Sequence, residues 1–279
     1  MPHSLKELLA QPGIIEAPGV YDGITARLAA AEGFDVLYMT GYGTAAGHGF
    51  PDIGLLGLTE MASNAARIVD AGGVPVIADA DTGYGDQANV RRTVKEFERA
   101  GVSAIHLEDQ IWPKKCGHMG EKQVIPCVEM VEKLKAAVDS RRNDDFLIIA
   151  RTDSIAVEGF DAAMERGHAY ADAGADLLFV EAPTNREQME AVPRELSERP
   201  QMANIAPRTP LYSSAEIEAM GYKVAIYPGI CVSAVLKACR DELSMLKKNG
   251  LPSDPGDWRE NFQEINSFLG LDEYEDGGE

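Results

Sequence analysis

Short apolar segments alternate with longer amphipathic segments along most of this chain of 279 residues. The apolar segments are nearly continuous, which is typical of strands that are buried on both faces of a parallel sheet. The eight predicted strands cover residues 14–18, 34–39, 74–78, 104–107, 146–150, 176–180, 202–205 and 224–227. This alternation predicts a parallel sheet whose strands are connected by helices.

An amphipathic segment follows each predicted strand, with the second after a glycine-rich stretch. The predicted helices cover residues 22–31, 59–71, 89–100, 128–141, 160–173, 186–196, 214–220 and 231–247. Several of them end at a glycine just before the next strand, as at Gly72, Gly101, Gly174 and Gly221, and glycine is common directly after a helix. Eight strand–helix units favour an α/β fold of the closed (β/α)8 TIM-barrel type over an open doubly wound sheet.

The alternative is a Rossmann-type sheet, which would depend on the glycine-rich segment 41–47. The dinucleotide-binding fingerprint belongs to a first strand–helix turn, where its glycines lead into the helix. Segment 41–47 follows the second predicted strand, and the next predicted helix begins only at residue 59. We therefore interpret this segment as a loop that faces the substrate.

A strong break follows the eighth helix, because segment 249–256 contains two glycines and two prolines. Beyond it, residues 258–269 predict one more helix. Its apolar stripe consists of Trp258, Phe262, Ile265 and Phe268. The predicted domains are a catalytic barrel at 1–250 and a C-terminal helix with an acidic tail at 251–279. Since a complete barrel already covers its sheet with its own helices, we expect the stripe to pack on another subunit.

Acidic residues outnumber basic ones by 45 to 26, which gives a formal net charge of −19 at pH 7. Nucleic acid and anionic membrane surfaces would be repelled, so neither is an expected partner. No apolar run approaches the ~18 residues of a membrane span. The first residues show no secretory signal, and the four cysteines form no Cys-x-x-Cys pair. These features predict a soluble, cytoplasmic protein.

Charged and amide side chains stand at the ends of five successive predicted strands. In chain order they are Asp79, Asp81, Glu108, Asp109, Arg151, Asp153, Glu181 and Asn204. The carboxyl ends of barrel strands share one rim, where active sites of this fold are built. One acidic residue alone is more often a helix cap or a structural ion pair. Carboxylates that converge with an arginine indicate a metal site beside a cation that binds a carboxylate.

The segment after the fourth strand reads Lys114-Lys115-Cys116-Gly117-His118. A thiol beside ammonium and imidazole groups can act as an acid or base near neutral pH. The alternative is that Cys116 is one more small buried residue and that the lysines form a solvated turn. The neighbouring carboxylates favour the first interpretation, so the sequence predicts an enzyme with a metal and a mobile cysteine loop.

Six motifs carry a resemblance to a known superfamily. They cover residues 51–54, 78–85, 106–110, 114–118, 150–153 and 179–182. Together they resemble the isocitrate lyase/phosphoenolpyruvate mutase superfamily over residues 18–240. The cysteine segment is similar to the lyase branch, which includes 2-methylisocitrate lyases, 2,3-dimethylmalate lyases and oxaloacetate hydrolases, rather than to the phosphonate branch.

This resemblance implies a metal site and a catalytic loop. A Mg²⁺ ion, for which Mn²⁺ can substitute, would be held by Asp79, Asp81 and Glu108, partly through water, since Mg²⁺ prefers octahedral oxygen coordination. Cys116 would donate a proton to the carbanion formed on cleavage. The other implied catalytic residues, which would orient the thiol or stabilise charge, are Lys114, His118 and Arg151.

It also implies a site for a small carboxylate substrate. The implied substrate-binding residues are Thr40, Gly41, Tyr42, Asp52, Arg151, Glu181 and Asn204. The implied reaction cleaves a 2-hydroxy di- or tricarboxylate between C2 and C3, giving a 2-oxo acid such as pyruvate and a second carboxylic acid. The implied assembly is a dimer that exchanges its terminal helix, with dimers pairing into a homotetramer.

Two departures from the lyase pattern leave the substrate open. The segment 204–210 is shorter than the corresponding stretch in 2-methylisocitrate lyases, and Tyr42 replaces a small residue. One alternative is an oxaloacetate hydrolase or decarboxylase. A mutase of the phosphoenolpyruvate or phosphonopyruvate type is disfavoured by Cys116. A barrel that only binds a carboxylate metabolite is disfavoured by the intact set of site residues.

Overall fold

The computed structural model describes residues 4–117, 120, 122–253 and 258–275. The chain divides into two compact units, Met1–Val232 and Ser233–Glu279, each of which is described by itself. The division lies within the predicted eighth helix, whereas the sequence places the domain boundary at residue 250. That boundary stays a prediction.

The first unit contains eight parallel strands arranged as a ring. They are β1 Ile15–Val20, β2 Leu37–Met39, β3 Val76–Asp79, β4 Ala104–Glu108, β5 Leu147–Thr152, β6 Leu177–Val180, β7 Met202–Asn204 and β8 Val224–Tyr227. Strands β1 to β6 pair in chain order, and β8 pairs with both β1 and β7. A parallel bridge between Leu178 and Gln201 connects β6 with β7. The predicted (β/α)8 barrel is therefore confirmed.

One helix precedes β1, and the other helices of this unit lie between successive strands. They are α1 Leu5–Ala10, α2 Gly23–Ala31, α3 Gly41–Gly47, α4 Leu58–Gly72, α5 Gln87–Arg99, α6 Cys127–Ser140, α7 Ile155–Glu158, α8 Phe160–Asp172, α9 Arg186–Glu195 and α10 Ser214–Ala219. Helix ends are the positions that a sequence predicts least accurately. Even so, the predicted connecting helices agree with the observed ones to within two residues at each end. Helices α1, α3 and α7 were not predicted.

Side chains alternate between the barrel interior and the layer beneath the helices, as strand geometry requires. The interior cluster includes Tyr38, Ile77, Ile149, Phe179 and Ile226. The outer cluster is larger and lies between the sheet and the connecting helices. Because inward positions recur at every second residue, Asp79, Glu108 and Arg151 extend the interior rows toward the carboxyl ends of their strands.

Helix α1 contributes to the interior cluster near the start of the strands. Ser4 caps it in a reciprocal capping box with Glu7. Leu5 is 1% exposed and belongs to the interior cluster, and the Lys6 ammonium donates to the carbonyl of Asp144 just before β5. This placement leaves the opposite end of the barrel for a functional site.

The glycine-rich segment after β2 is a helix, so its prediction as a loop is wrong. The Thr40 side chain accepts the N–H of Gly43 at 3.2 Å and thereby caps α3. A Cβ atom on Gly41 would overlap the carboxylate of Asp79. The absence of a side chain at Gly41 allows the first turn of α3 to approach β3 closely, and this is the role of the glycine here rather than backbone flexibility.

The second unit, Ser233–Glu279, contains most of α11 Ile230–Asn249, followed by α12 Trp258–Phe268 and α13 Leu271–Glu275. Helix α12 lies where the sequence predicts a terminal helix. Its Phe262 and Ile265 side chains are 66% and 51% exposed in the single chain. No helix in the described part of the chain is both long and apolar enough to span a membrane.

Candidate active site

Five strand ends bring polar side chains into the mouth of the barrel. Asp79, Glu108, Arg151, Glu181 and Asn204 are all less than 9% exposed. Glu108 and Arg151 are register partners on β4 and β5. The convergence predicted for these side chains is therefore present at the carboxyl end of the barrel, although their individual roles stay predictions.

Arg151 is the cation on which these carboxylates converge. Its Nε and Nη2 atoms donate to Asp153 at 2.9 and 3.2 Å. Its Nη1 atom lies 3.3 Å from Glu108 and its Nη2 atom 3.7 Å from Glu181. Burial alone would lower the pKa of Arg151, but the three carboxylates raise it well above its ordinary value. The guanidinium also lies over the ring of Phe179, 5.0 Å from its centre.

Asn204 and Glu181 form the next part of the rim. The Asn204 amide nitrogen lies 3.1 Å from each carboxylate oxygen of Glu181 and donates to them. The carboxylate is thereby held between Arg151 on one strand and an amide on another. Together they place donors and a cation where a carboxylate-bearing ligand could be oriented.

Beneath the rim, Asp79 is connected with the barrel interior. Its Oδ1 atom accepts the N–H of Asp81 at 2.9 Å and lies 3.6 Å from Nε2 of His106. The same His106 nitrogen is 2.8 Å from the Tyr38 hydroxyl. Burial lowers the pKa of His106 to about 4, against the opposing effect of Asp79, so the ring is neutral at pH 7. His106 thus supports the floor of the site, as a packed histidine would.

Lys114 lies between two carboxylates of the rim. Its ammonium is 2.6 Å from Asp52 and 2.7 Å from Asp81. Burial alone would lower the pKa of Lys114, but Asp81, Asp79, Asp52 and Glu108 raise it well above its ordinary value. Its observed contacts are with the carboxylates, and the role beside the thiol that the resemblance implies stays a prediction.

Glu108 provides the test of whether these residues suit a metal ion. Both its carboxylate oxygens are buried, and neither accepts a hydrogen bond within the described residues. Burial raises its pKa well above the ordinary value, with Arg151 and Lys114 opposing that change. A buried carboxylate without donors is costly unless a cation compensates it. Arg151 supplies part of that compensation, since its Nη1 atom lies 3.3 Å from Oε2 of Glu108, and a divalent ion beside the carboxylate would complete it.

Among the described residues, no three His, Cys, Asp or Glu side chains are already arranged as a ligand cluster. Mg²⁺ usually retains several waters and needs only one or two direct carboxylates. The oxygen donors Asp79, Asp81 and Glu108 therefore fit a magnesium ion held partly through water better than a metal that requires a closed protein cage. Metal dependence is typical of the superfamily to which these motifs point.

The cysteine segment lies directly on this rim. The side-chain amide of Gln110 makes two hydrogen bonds with the backbone of Lys115, at 2.8 and 3.0 Å. The N–H of Cys116 donates to the carbonyl of Asp52 at 3.1 Å. A Cβ atom on Gly117 would overlap the side chains of Glu181 and Arg151. Hence the residue directly after Cys116 lies against the arginine, while His118 lies outside the described residues.

The first turn of α3 approaches the same rim. Thr40 is 1% exposed and its hydroxyl caps the helix, while Gly41 lies against Asp79. The Tyr42 side chain is 42% exposed. These positions agree with a carboxylate-binding turn beside the metal residues, which stays a prediction.

Sequence reasoning assigned no role to Lys122. The structure places its ammonium 2.8 Å from Asp153, and Asp109 binds the backbone of Asp153 at 2.9 Å. A buried lysine near an acidic rim could have been suspected from its charge. Its partner could not, because the two residues are far apart in the sequence.

The family described as phosphoenolpyruvate phosphomutase matches residues 5–247. The chain belongs to this family. The curated relatives match nearly the full chain.

Three of the similar proteins are named as lyases or as an acetylhydrolase. The 2,3-dimethylmalate lyase of Eubacterium barkeri is 48% identical, over 96% of this chain and 93% of its own. The 2-methylisocitrate lyase of Aeropyrum pernix is 41% identical, over 97% and 88%. A structure of oxaloacetate acetylhydrolase with the inhibitor 3,3-difluorooxalacetate is 36% identical, with a TM-score of 0.92 over 99% and 97% of the two chains.

The contact of Gly117 with the rim generates a testable prediction. Replacing Gly117 with Ala should displace the cysteine segment, because the added methyl group would overlap Arg151 and Glu181. We expect Cys116 to be alkylated several times faster by iodoacetamide, as measured by peptide mass spectrometry. Gly120→Ala is the matched control, since no atom lies within 4 Å of its added Cβ. Equal alkylation in the two variants would contradict this placement of Gly117.

Proposed function

We propose that this protein is a Mg²⁺-dependent carbon–carbon lyase, with Mn²⁺ as a substitute, that cleaves a 2-hydroxy dicarboxylate or tricarboxylate. One observation carries the proposal: the backbone of Gly117, the residue directly after Cys116, lies against Arg151 and Glu181, which brings the cysteine segment to a buried cation that could bind a carboxylate. The similarity to lyases of 2,3-dimethylmalate and 2-methylisocitrate supports this reaction class.

The side chains of the rim would divide the work of such a cleavage. Arg151 would bind a carboxylate or the oxygen at C2, with its orientation held by Asp153 and Glu108. When bound, the metal supplies Lewis-acid stabilisation of negative charge on substrate oxygen. The Asn204–Glu181 pair would line the pocket around the second carboxylate, and the turn at Thr40 would receive the first.

Cys116 would complete the reaction by proton transfer. The proton of the C2 hydroxyl passes to a carboxylate of the rim, the C2–C3 bond breaks, and C2 becomes the carbonyl of the 2-oxo acid. The electron pair of the broken bond remains on the leaving fragment, delocalised into its carboxylate. The Cys116 thiol then donates a proton to that carbon. Preorganised cations around the carboxylates contribute most of the stabilisation of the intermediate charge.

A second candidate activity is the hydrolysis of oxaloacetate to oxalate and acetate. The similarity to oxaloacetate acetylhydrolase supports it. The short segment 204–210 supports it as well, because the longer stretch at this place in 2-methylisocitrate lyases would contact the far end of a tricarboxylate. Both activities would use Arg151 and the same carboxylates of the rim. Only an assay with the different substrates can therefore distinguish the two activities.

The activity assay therefore compares four substrates in the presence of Mg²⁺. Release of pyruvate is measured from 2-methylisocitrate, 2,3-dimethylmalate and citramalate, and release of oxalate from oxaloacetate. We expect the highest kcat/KM with 2,3-dimethylmalate or a similar dicarboxylate. Oxalate release as the dominant reaction would replace the lyase proposal by the hydrolase. No turnover of any of the four would contradict both.

The thiol is tested by Cys116→Ala. We expect kcat to fall roughly 10²–10⁴-fold while KM changes little, because a positioned acid or base contributes about that much to a rate. Cys239→Ala is the control, since Cys239 is exposed. A Cys116→Ala enzyme that retains the kcat of the unmodified protein would assign Cys116 a structural role.

The metal site is tested by Asp79→Ala. Removing this carboxylate should abolish turnover and weaken Mg²⁺ binding at least tenfold in isothermal titration calorimetry, while the far-UV circular dichroism spectrum is retained. Asp139→Ala, which removes an exposed carboxylate, is the control. Unchanged Mg²⁺ affinity in Asp79→Ala would refute the metal assignment.

We also propose that the protein is a homo-oligomer, a dimer of dimers in which α12 packs on another subunit. The exposed apolar side chains of Phe262 and Ile265 support it. Removing the residues after Gly250 should lower the sedimentation coefficient in analytical ultracentrifugation. A full-length chain that sediments as a monomer at micromolar concentration would contradict the proposal.

A further inference from the structure

Asp153 binds two cations that belong to different parts of the chain. Its Oδ2 atom accepts from Nε of Arg151 at 2.9 Å. Its Oδ1 atom accepts both from Nη2 of Arg151 at 3.2 Å and from the Lys122 ammonium at 2.8 Å. Asp153 is fully buried, and Lys122 is 9% exposed. The single carboxylate therefore connects the arginine of the rim with the residues that follow the cysteine segment.

The backbone of Asp153 is itself held in place by hydrogen bonds to Asp109. One carboxylate oxygen of Asp109 accepts the N–H of Asp153 at 2.9 Å. The other accepts from the hydroxyls of Thr152 and Tyr170 and from Arg166, at 2.7, 2.8 and 3.2 Å. With its donors placed on β5 and α8, Asp109 holds the turn after β5 in one position. Asp153 is consequently a rigid support rather than a mobile side chain.

Lys122 connects Asp153 with the cysteine segment. Besides Asp153, its ammonium donates to the carbonyl of Gly117 at 2.6 Å. The Cα atom of Gly117 lies so close to Arg151 and Glu181 that a methyl group there would overlap both. Lys122 thus connects the peptide next to Cys116 with the same carboxylate that orients Arg151.

The charges explain why the three groups must be placed together. Two buried cations share Asp153, and each needs its negative charge, because an unpaired buried charge is strongly destabilising. Burial would raise the pKa of Asp153, yet Arg151 and Lys122 hold it well below its usual range. The carboxylate is therefore ionised and available to both partners throughout the neutral pH range.

We propose that Asp153 and Lys122 are positioning residues: Asp153 fixes the direction of the Arg151 guanidinium, and Lys122 uses the same carboxylate to place the Cys116–Gly117 backbone over it. The arginine and the thiol are thereby held in one mutual geometry. The consequence for catalysis rests on the proposed function, whereas the placement of the thiol does not.

The test compares Lys122→Met, Lys122→Arg, Asp153→Asn and the Lys122→Met/Asp153→Asn double variant. Lys135→Met, which removes an exposed lysine paired with Glu132, is the matched control. The first measurement is the rate at which iodoacetamide alkylates Cys116, read peptide by peptide in the full-length protein. Loss of a nearby cation would by charge alone slow the alkylation of a thiol, so a faster reaction reports greater access to it.

We expect Lys122→Met to accelerate the alkylation of Cys116 about tenfold to a hundredfold, the range that loss of a charge-assisted hydrogen bond produces. Lys122→Arg should restore most of the protection, because it retains the cation. In the double variant the rate should not exceed that of the faster single variant, since both changes remove the same connection. The Lys135→Met rate should match that of the unmodified protein.

The kinetic constants distinguish the two residues. In Lys122→Met the pair of Asp153 with Arg151 is retained, so kcat should fall at least tenfold with KM changed by less than about threefold. In Asp153→Asn the arginine loses its orienting partner, and both kcat and KM should change. A role in stability alone would lower the amount of folded enzyme without changing KM, so the change of KM in Asp153→Asn separates positioning from stability. For Lys122→Met, kcat is calculated per folded enzyme, with the folded fraction measured by far-UV circular dichroism, so that a remaining tenfold loss reports positioning.

Unchanged alkylation of Cys116 in Lys122→Met would overturn the proposal, as would single-variant effects that multiply in the double variant. Lys122→Met leaves Asp153 paired with Arg151, so it decides the question even if Asp153→Asn does not fold. If the unmodified protein turned over none of the substrates, the proposed function would be wrong, and the alkylation comparison would still test the placement of the thiol.

Discussion

A single buried guanidinium organises the functional end of this barrel. Arg151 is surrounded by the carboxylates of Asp153, Glu108 and Glu181. A charge removed from water must be paired and hydrogen-bonded, or its burial destabilises the fold by several kcal/mol. Since the partners come from three different strand ends, the pairing of Arg151 also determines how those ends are arranged. The need to pair the charge of Arg151 therefore fixes the positions of the side chains around it.

The acidic side of the rim has the complementary requirement. Asp52, Asp79, Asp81 and Glu108 concentrate negative charge that Arg151 does not fully compensate. Lys114 satisfies Asp52 and Asp81, whereas Glu108 accepts no hydrogen bond from the described residues. A site with excess buried carboxylate is suited to a hard divalent cation. The same excess makes a cation at the mouth of the barrel electrostatically favourable.

The cysteine segment is placed by contacts at several separate points. Gln110 binds the Lys115 backbone, Asp52 accepts from Cys116, and Lys122 binds the carbonyl of Gly117. Contacts of this kind hold the backbone of the segment far more narrowly than its own sequence would. They also explain why a glycine is required at 117, where the backbone passes directly over the side chains of the rim.

The sequence by itself determined the barrel and the residue types of its rim. Continuous apolar strands and glycine-terminated helices are local patterns, because burial on both faces and helix termination depend on neighbouring residues. Local patterns also misled the prediction at α3. The glycines of segment 41–47 were interpreted as a sign of a loop, and the helix cap by Thr40 was not recognised. Tertiary structure alone decided that Lys114 joins Asp52 to Asp81 and that Lys122 joins Gly117 to Asp153. Except for Lys122 and Gly117, which are five residues apart, the members of these pairs are far apart along the chain and meet only when the ring of strands closes, so no local pattern encodes them.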